Sequence, residues 1–239
     1  MVGMRNVVLF GMGCLKRNQR YRVLLRLARC GFLRWKAAKT AAALGYAVAG
    51  FALVTLMAGA QQQDVLHPKD TSALHPPPGS KIAIVEFADL ECPSCGMENP
   101  VIMQAVEKYH VAWVRHDFPL PQHNWSFQAA VNARWFDTRS KKLGDDYRNA
   151  VFANQADIET KDDLQRFTQK FAQDHGTGLP FVMDPQGKLA AEVKADRDLG
   201  DRMGIHETPT AWVVTEHGYK QITDFKDLYS MLDQAEASS

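Results

Sequence analysis

Two cysteines separated by two residues are the part of this sequence best suited to chemistry. Cys92 and Cys95 enclose Pro93 and Ser94, and they follow an apolar run at residues 82–88. A Cys-x-x-Cys motif at the passage from a strand to a helix holds two thiols within reach of each other. It also places Cys92 at the electropositive first turn of that helix, where a thiolate is favoured. The spacing therefore predicts a pair that makes and breaks a disulfide.

Two other uses of this pair compete with redox chemistry. A zinc site needs four ligands, but the other cysteines, Cys14 and Cys30, lie far upstream and the histidines occur singly. A structural disulfide gains little from so short a loop, because the loop-closure entropy grows with loop length. We therefore favour a redox-active pair, and we expect no metal site and no cofactor.

Charge divides the chain into two parts. Residues 1–60 contain ten Lys and Arg and no Asp or Glu. The totals of 28 basic and 27 acidic side chains then leave 18 basic and 27 acidic ones for residues 61–239, a net charge of −9. Two parts of such opposite charge are expected in different environments. The acidity of the larger part argues against nucleic acid as its partner.

An uncharged stretch of 21 residues, 40–60, could cross a membrane. As a helix it would be about 31 Å long, which is enough to span a bilayer core. Lys36 and Lys39 flank its start. The positive-inside rule then places residues 1–39 in the cytoplasm and residues 61–239 outside. The sequence therefore predicts a transmembrane anchor.

The same stretch also fits a secretory signal. Ala58, Gly59 and Ala60 match the small-x-small pattern of a cleavage site, and residues 1–39 would then be the basic n-region. A third interpretation is a helix buried in a protein core. Anchor and signal both deliver the cysteine pair to the periplasm or the cell surface, an oxidising compartment where disulfide exchange has a purpose.

The segment before the cysteine motif contains a linker and a strand. Residues 61–80 are polar and rich in proline, which predicts an extended spacer between membrane and domain. The apolar run after them does not alternate, which predicts a strand covered on both faces in an α/β sheet. Glu86 interrupts this run, and a buried carboxylate is costly unless it is paired or neutral. The alternative is an edge position with Glu86 in water.

Helical patterns dominate the middle of the domain. Pro93 suits the first turn of a helix that runs to about Tyr109, and a second strand begins near Val111. Apolar residues then recur at helical spacing through about residues 122–183. The pattern predicts a helical subdomain inserted after the second strand.

The last part of the chain returns to strands. Asp184 and Pro185 fit the N-cap and first position of a helix that ends near Met203. Residues 210–224 contain two β-rich runs around a turn with glycine, which predicts a hairpin. A closing amphipathic helix follows.

This order of elements resembles the DsbA-like branch of the thioredoxin superfamily, in which a helical subdomain is inserted into the thioredoxin fold. The resemblance covers about residues 81–236. It rests on four stretches: Val85-Glu86-Phe87, Cys92-Pro93-Ser94-Cys95, Phe118-Pro119-Leu120-Pro121-Gln122-His123, and Gly204-Ile205 with Thr208-Pro209-Thr210. It implies an α/β thioredoxin fold with an inserted helical subdomain, preceded by the transmembrane or signal segment.

The resemblance also implies roles for individual residues. Cys92 would be the exposed nucleophile that forms a mixed disulfide with a client protein, and Cys95 would be the buried resolving thiol. Pro209 would be a cis-proline that faces the disulfide and leaves the Thr208 backbone free to pair with an extended client peptide. Glu86 would be the buried acid that helps proton transfer to or from Cys95.

The dipeptide between the cysteines bears on the redox potential. Some relatives have a histidine there, and Ser94 cannot supply its positive charge. The helix terminus alone lowers the pKa of Cys92 by roughly 0.2 to 1.5 units. Hydrogen bonds from the first-turn N–H groups and from the Ser94 hydroxyl would add to this. We therefore expect a moderately lowered pKa and a moderately oxidising pair.

The predicted function is thiol–disulfide oxidoreduction outside the cytoplasm. The pair would introduce disulfides into reduced secreted proteins, and a membrane redox partner, quinone-linked as in the family, would reoxidise it. A reductase or isomerase uses the same residues with the opposite electron flow. A chaperone that holds unfolded secreted chains is a hypothesis of a different class. A glutathione-dependent transferase has less support, because the sequence contains no glutathione-binding pattern.

Overall fold

The structure is a computed structural model that describes residues 65–238. Its helices and strands in chain order are β1 (Ile82–Ala88), α1 (Pro93–Tyr109), β2 (Ala112–Asp117), α2 (Ser126–Asp137), α3 (Lys141–Ala153), a 3-10 turn (Gln155–Asp157), α4 (Lys161–Asp174), α5 (Lys188–Met203), β3 (Thr210–Thr215), β4 (Gly218–Ile222), a second 3-10 turn (Phe225–Asp227) and α6 (Leu228–Ser238). The predicted basic region 1–39 and the predicted anchor or signal 40–60 lie outside the described residues. Within residues 65–238, no helix is both long and apolar enough to span a bilayer.

The four strands form one mixed sheet in the order β2-β1-β3-β4. Strand β1 pairs in parallel with β2 and antiparallel with β3, and β3 and β4 form the predicted hairpin. The first six residues of β1 are buried. The prediction of a central strand covered on both faces is therefore confirmed.

The two faces of β1 contribute to two apolar clusters, which explains why its sequence does not alternate. Ile82 and Ile84 pack in one cluster with residues of α1 and α6. Val85 and Phe87 pack in the other with Met203 from the end of α5. Both faces of the strand need apolar side chains when helices cover them.

The helices between β2 and α5 have their own aromatic core. Phe136 of α2, Tyr147 of α3 and Phe171 of α4 have ring centroids 4.7 to 5.1 Å apart. The same apolar cluster includes Cys92 and Cys95. The inserted helices therefore pack directly against the turn that carries the cysteine motif.

The predicted start of α5 is wrong. The helix begins at Lys188, and Gly187 is its N-cap with a positive φ of 68°. Asp184 and Pro185 belong to the preceding turn, in which Gly187 N–H donates to the Asp184 carbonyl (3.2 Å). The Asp184 carboxylate still serves the helix, because it accepts from the Ala190 N–H at 2.8 Å.

The end of the predicted spacer is fixed to the domain. Leu74 is only 5% exposed and packs in the cluster with Phe87. The Lys69 N–H donates to the Met203 carbonyl (3.2 Å), and the Leu66 N–H donates to Oε1 of Gln221 (2.6 Å). Residues 66–74 of the predicted spacer therefore contact the domain.

We expect Leu74→Ala to lower the free energy of unfolding by about 2–4 kcal/mol, because it removes a buried side chain and leaves a cavity. Urea unfolding measures the change. Val65→Ala is the matched control, since Val65 is 58% exposed and its truncation should cost less than about 0.5 kcal/mol. Equal effects of the two substitutions would show that the segment does not pack on the domain.

Candidate functional site

The cysteine motif lies where β1 passes through a short turn into α1. Cys92 is the N-cap of α1 and Pro93 occupies the first position of the helix. The prediction of a helix that starts at Pro93 and runs to Tyr109 is confirmed. Both thiols are free. Cys92 is 7% exposed and Cys95 is fully buried, so Cys92 is the more accessible sulfur but is less exposed than the resemblance implies.

The surroundings of Cys92 favour its thiolate. The Cys95 thiol donates a hydrogen bond to the Cys92 sulfur, and this makes the largest contribution to a pKa lowered to about 5. Burial opposes the shift, while the Thr208 side chain and the backbone N–H groups of Cys95 and Ser94 add to it. The lowering exceeds what the helix terminus alone supplies. Contacts from Cys95 and Thr208 account for the difference.

The pKa of the Cys95 thiol is shifted in the opposite direction from that of Cys92. Burial raises the pKa of Cys95 well above 9, and the hydrogen bond to Cys92 and the negative charges of Cys92 and Glu86 raise it further. At neutral pH the reduced pair therefore holds one thiolate and one thiol. Among residues 65–238, no group of His, Cys, Asp and Glu side chains is arranged to hold a metal ion.

The thiolate should titrate with a midpoint near pH 5, seen as thiolate absorbance at 240 nm in the reduced protein. Cys95→Ala should raise this midpoint, because it removes the thiol that donates the largest stabilising hydrogen bond. Cys92→Ala should remove the transition altogether below pH 8. A midpoint near 8.5 in the unmutated chain, the value of an ordinary thiol, would contradict this description of the site.

The loop before β3 faces the cysteine pair. The Thr208–Pro209 peptide bond is cis, as the resemblance implies. The Cys92 thiol donates to the Thr208 carbonyl at 3.3 Å. A thiolate or a disulfide has no proton to donate, so either state leaves this carbonyl able to accept from another chain. The Thr208 hydroxyl is buried, and apart from its stabilising effect on the Cys92 thiolate it has no hydrogen-bond partner among the described residues.

Glu86 lies in the interior of the sheet, and the edge alternative is wrong. It is 1% exposed, and its Oε2 accepts from Nε1 of Trp113 at 2.9 Å. Its other oxygen has no hydrogen-bond partner within the described part of the chain. Burial raises the pKa of Glu86, although the charge of Arg115 and the bond from Trp113 oppose the rise. The carboxyl is therefore able to hold a proton at higher pH than an ordinary glutamate.

Arg115 is a neighbour of Glu86 that sequence reasoning missed. It lies opposite Glu86 in the register of β1 and β2. Its guanidinium stacks 3.4 Å above the Trp113 ring and donates to the Asn99 and Asn149 side chains at 3.0 and 2.7 Å. Burial lowers its pKa to about 10. The sequence does not show this pair, because it depends on the register in which β1 and β2 align.

Two carboxylates hold the turn before Cys92, and sequence reasoning missed both. Glu91 accepts from the N–H groups of Trp125 (2.6 Å) and Ser126 (2.9 Å) at the start of α2. Asp89 accepts from the Leu120 N–H (2.6 Å), and the same oxygen lies 2.7 Å from Nδ1 of His123. The turn is thereby tied to the segment after β2. Acidic residues directly before the motif were the available signal.

The Thioredoxin family model matches residues 77–234 of the chain. This chain belongs to the thioredoxin family. Among solved structures, alpha-DsbA1 of Wolbachia pipientis has a TM-score of 0.56 and 17% identity over 70% of this chain and 91% of that one. ScsC of Proteus mirabilis has a TM-score of 0.56 and 14% identity over 83% of this chain and 93% of that one. The fold is therefore that of the DsbA-like branch.

One curated relative matches in sequence. The Na(+)/H(+) antiporter NhaA 3 of Salinispora tropica is 26% identical over 153 residues, which are 63% of this chain and 23% of that protein. The chain thus spans less than a quarter of that relative's length.

The thioredoxin-family fold and the paired free thiols give the chain the groups that thiol–disulfide exchange requires. The predicted site residues lie together on β1, the start of α1 and the loop at Pro209. Their individual roles stay predictions.

Proposed function

We propose that the chain introduces disulfides into reduced secreted proteins, with Cys92 and Cys95 as its redox pair. The observation that carries this proposal is the asymmetry of the thiols, in which the pKa of Cys92 is about 5 and that of Cys95 is raised well above 9. A disulfide is a stronger oxidant when its reduced form is stabilised. A thiolate at Cys92 supplies that stabilisation at neutral pH.

The exchange has two steps. A client thiolate attacks the Cys92 sulfur, the Cys92–Cys95 bond breaks, and Cys95 leaves with the electron pair. A second client thiolate then attacks the client sulfur of the mixed disulfide and releases Cys92 as a thiolate. The client loses two electrons and the pair gains them. Cys95 takes up one proton, because its thiolate is unfavourable in its buried site.

Glu86 is the proton donor that we assign to Cys95. The carboxyl is buried, its pKa is raised, and its charge acts on Cys95. A proton held there can pass to the departing Cys95 thiolate through the interior, where bulk water has little access. We expect Glu86→Gln to slow the attack step with a changed pH dependence and to leave the fold intact, since the amide can still accept from Trp113.

A groove beside the nucleophile suits an unfolded client. It has a volume of about 590 Å³ and lies between the start of α1 and the inserted helices. Apolar side chains line it, among them Pro93, Met97, Trp125, Phe152 and Ile158. Met97 is 66% exposed. Apolar segments that a folded client would bury can therefore contact the protein next to Cys92.

The same groove favours chaperone activity as a second candidate function. Its test is the suppression of aggregation of a reduced, unfolded protein by the Cys92→Ala/Cys95→Ala double variant. Full suppression without the cysteines would make binding the main activity. Loss of this suppression would show that client binding serves disulfide exchange and is not a separate chaperone activity.

We further propose that the domain works outside the cytoplasm and that a membrane redox partner reoxidises it. The basic region 1–39 and the uncharged stretch 40–60 support this location. The test is labelling of Cys92 by a membrane-impermeant maleimide in intact cells after mild reduction. Labelling only after lysis would contradict the proposal.

The experiment that tests the oxidase function mixes the oxidised chain with a reduced, unfolded protein that forms one disulfide. At pH 7 we expect nearly complete transfer of one disulfide per chain. Transfer in the reverse direction, from an oxidised client to the reduced chain, would show a reductase or isomerase.

A further inference from the structure

Gln155 connects the inserted helices to the turn that carries the nucleophile. It begins the 3-10 turn between α3 and α4, and it lies 63 residues beyond Cys92 in the chain. Its Nε2 donates to the Leu90 carbonyl at 2.8 Å and to the Cys92 carbonyl at 3.0 Å. One amide group therefore holds the backbone on both sides of Glu91.

Gly96 leaves the space that this amide occupies. A Cβ at Gly96 would lie 2.4 Å from Oε1 of Gln155, much closer than carbon and oxygen approach without a bond. Gly96 lies inside α1, where alanine would otherwise give the more stable helix. A glycine at this position is therefore explained by Gln155 and not by the backbone conformation.

The Cys92 carbonyl belongs to the peptide that starts the helix. The Gly96 N–H also donates to it, at 3.1 Å, so the carbonyl is held both by the helix and by Gln155. The orientation of this peptide sets where the N–H groups of Ser94 and Cys95 point relative to the Cys92 sulfur. Those N–H groups help to lower the pKa of Cys92.

We propose that Gln155 is a positioning residue for the redox reaction, and that its amide, admitted by Gly96, fixes the first turn of α1 against the Cys92 sulfur. The inserted helices thereby set the reactivity of the pair as well as covering it. The inference rests on the proposed exchange function, but a separate measurement tests it.

The test is a double-mutant cycle of Gln155→Ala and Gly96→Ala, read by thiolate absorbance and by the exchange equilibrium with glutathione. Gln155→Ala should raise the Cys92 pKa by on the order of half a unit and shift the exchange constant about threefold, as expected when the hydrogen bond to the Cys92 carbonyl is lost. Gly96→Ala should give the same shift, because it displaces the amide. The double variant should show no further change. Gln165→Ala, at an exposed position of α4, is the matched control.

Thermal unfolding of the same four proteins gives an independent readout. Gly96→Ala should raise the Tm more in the Gln155→Ala background than in the unmutated chain, because the added methyl group then meets no amide. An unchanged Cys92 pKa in Gln155→Ala with a lowered Tm would reduce Gln155 to a structural contact. Additive shifts of the Cys92 pKa in the double variant would show that Gly96 and Gln155 act independently of each other. Either result overturns the proposal, whereas failure of the unmutated chain to exchange with glutathione overturns the proposed function.

Discussion

Cys92→Ala should reduce thiol–disulfide exchange by more than about a thousandfold, to the background rate of a protein without the pair. Cys92 is the thiol whose pKa is lowered to about 5, so it is ionised at neutral pH. Cys95 cannot replace it, because it is fully buried and its pKa is raised well above 9. Its thiolate fraction at pH 7 is then below about 1%. The measurement is the rate of exchange with a fluorescent disulfide peptide.

A control must show that loss of activity does not come from loss of the fold. Cys92→Ser keeps nearly the same volume and should be as inactive as the alanine variant. Both variants should keep the circular dichroism spectrum of the reduced, unmutated chain. In urea at pH 7 they should be less stable than that chain by about 2–3 kcal/mol, because they lose a thiol whose pKa falls from about 8.5 to about 5 on folding. Undiminished turnover by either variant would refute the assignment of Cys92.

Cys95→Ala should convert the protein into a trap for clients. The Cys92 thiolate still attacks a client disulfide and forms a mixed disulfide, but the thiol that would resolve it within the molecule is absent. We expect covalent adducts on non-reducing gels that dithiothreitol releases. Adduct formation should slow on acidification with a midpoint above pH 5, because loss of the Cys95 hydrogen bond raises the pKa of Cys92.

Two comparisons make the trapping result specific. The Cys92→Ala/Cys95→Ala double variant should form no adducts once Cys14 and Cys30 are also replaced by alanine. Cys92→Ala alone should form few, since Cys95 is buried and protonated. Adducts of equal yield from Cys92→Ala and Cys95→Ala would show that the two sulfurs have no fixed roles.

The features that follow from local signals could be predicted from the sequence. Strand β1 is marked by an unbroken apolar run, and α1 by proline directly after Cys92. The cis bond before Pro209 was implied by the resemblance, as was the buried position of Glu86. Each of these depends on neighbours in the chain or on a short motif, and a single sequence contains both.

The contacts that tune the site could not be predicted. Gln155 reaches carbonyls that lie 63 and 65 residues away, and nothing in its own neighbourhood marks it. The depth of the Cys92 pKa shift depends on Thr208, which comes from another loop 116 residues away. The predicted start of α5 was wrong for a related reason. Asp184 has the side chain of a typical N-cap residue but lies in the turn before the helix. Contacts of this kind depend on residues that are far apart in the chain and close together only in the folded structure.

If the pair donates its disulfide, its reduction potential must be oxidising, and this potential is measured on the full chain in glutathione buffers at pH 7. The Cys92 pKa of about 5 lies between the values of about 7 in thioredoxin and about 3.5 in DsbA. We therefore predict a potential at or above about −180 mV, on the oxidising side of the family's range. A potential of about −270 mV, the value of thioredoxin, would show that the pair does not donate its disulfide and would identify a reductase.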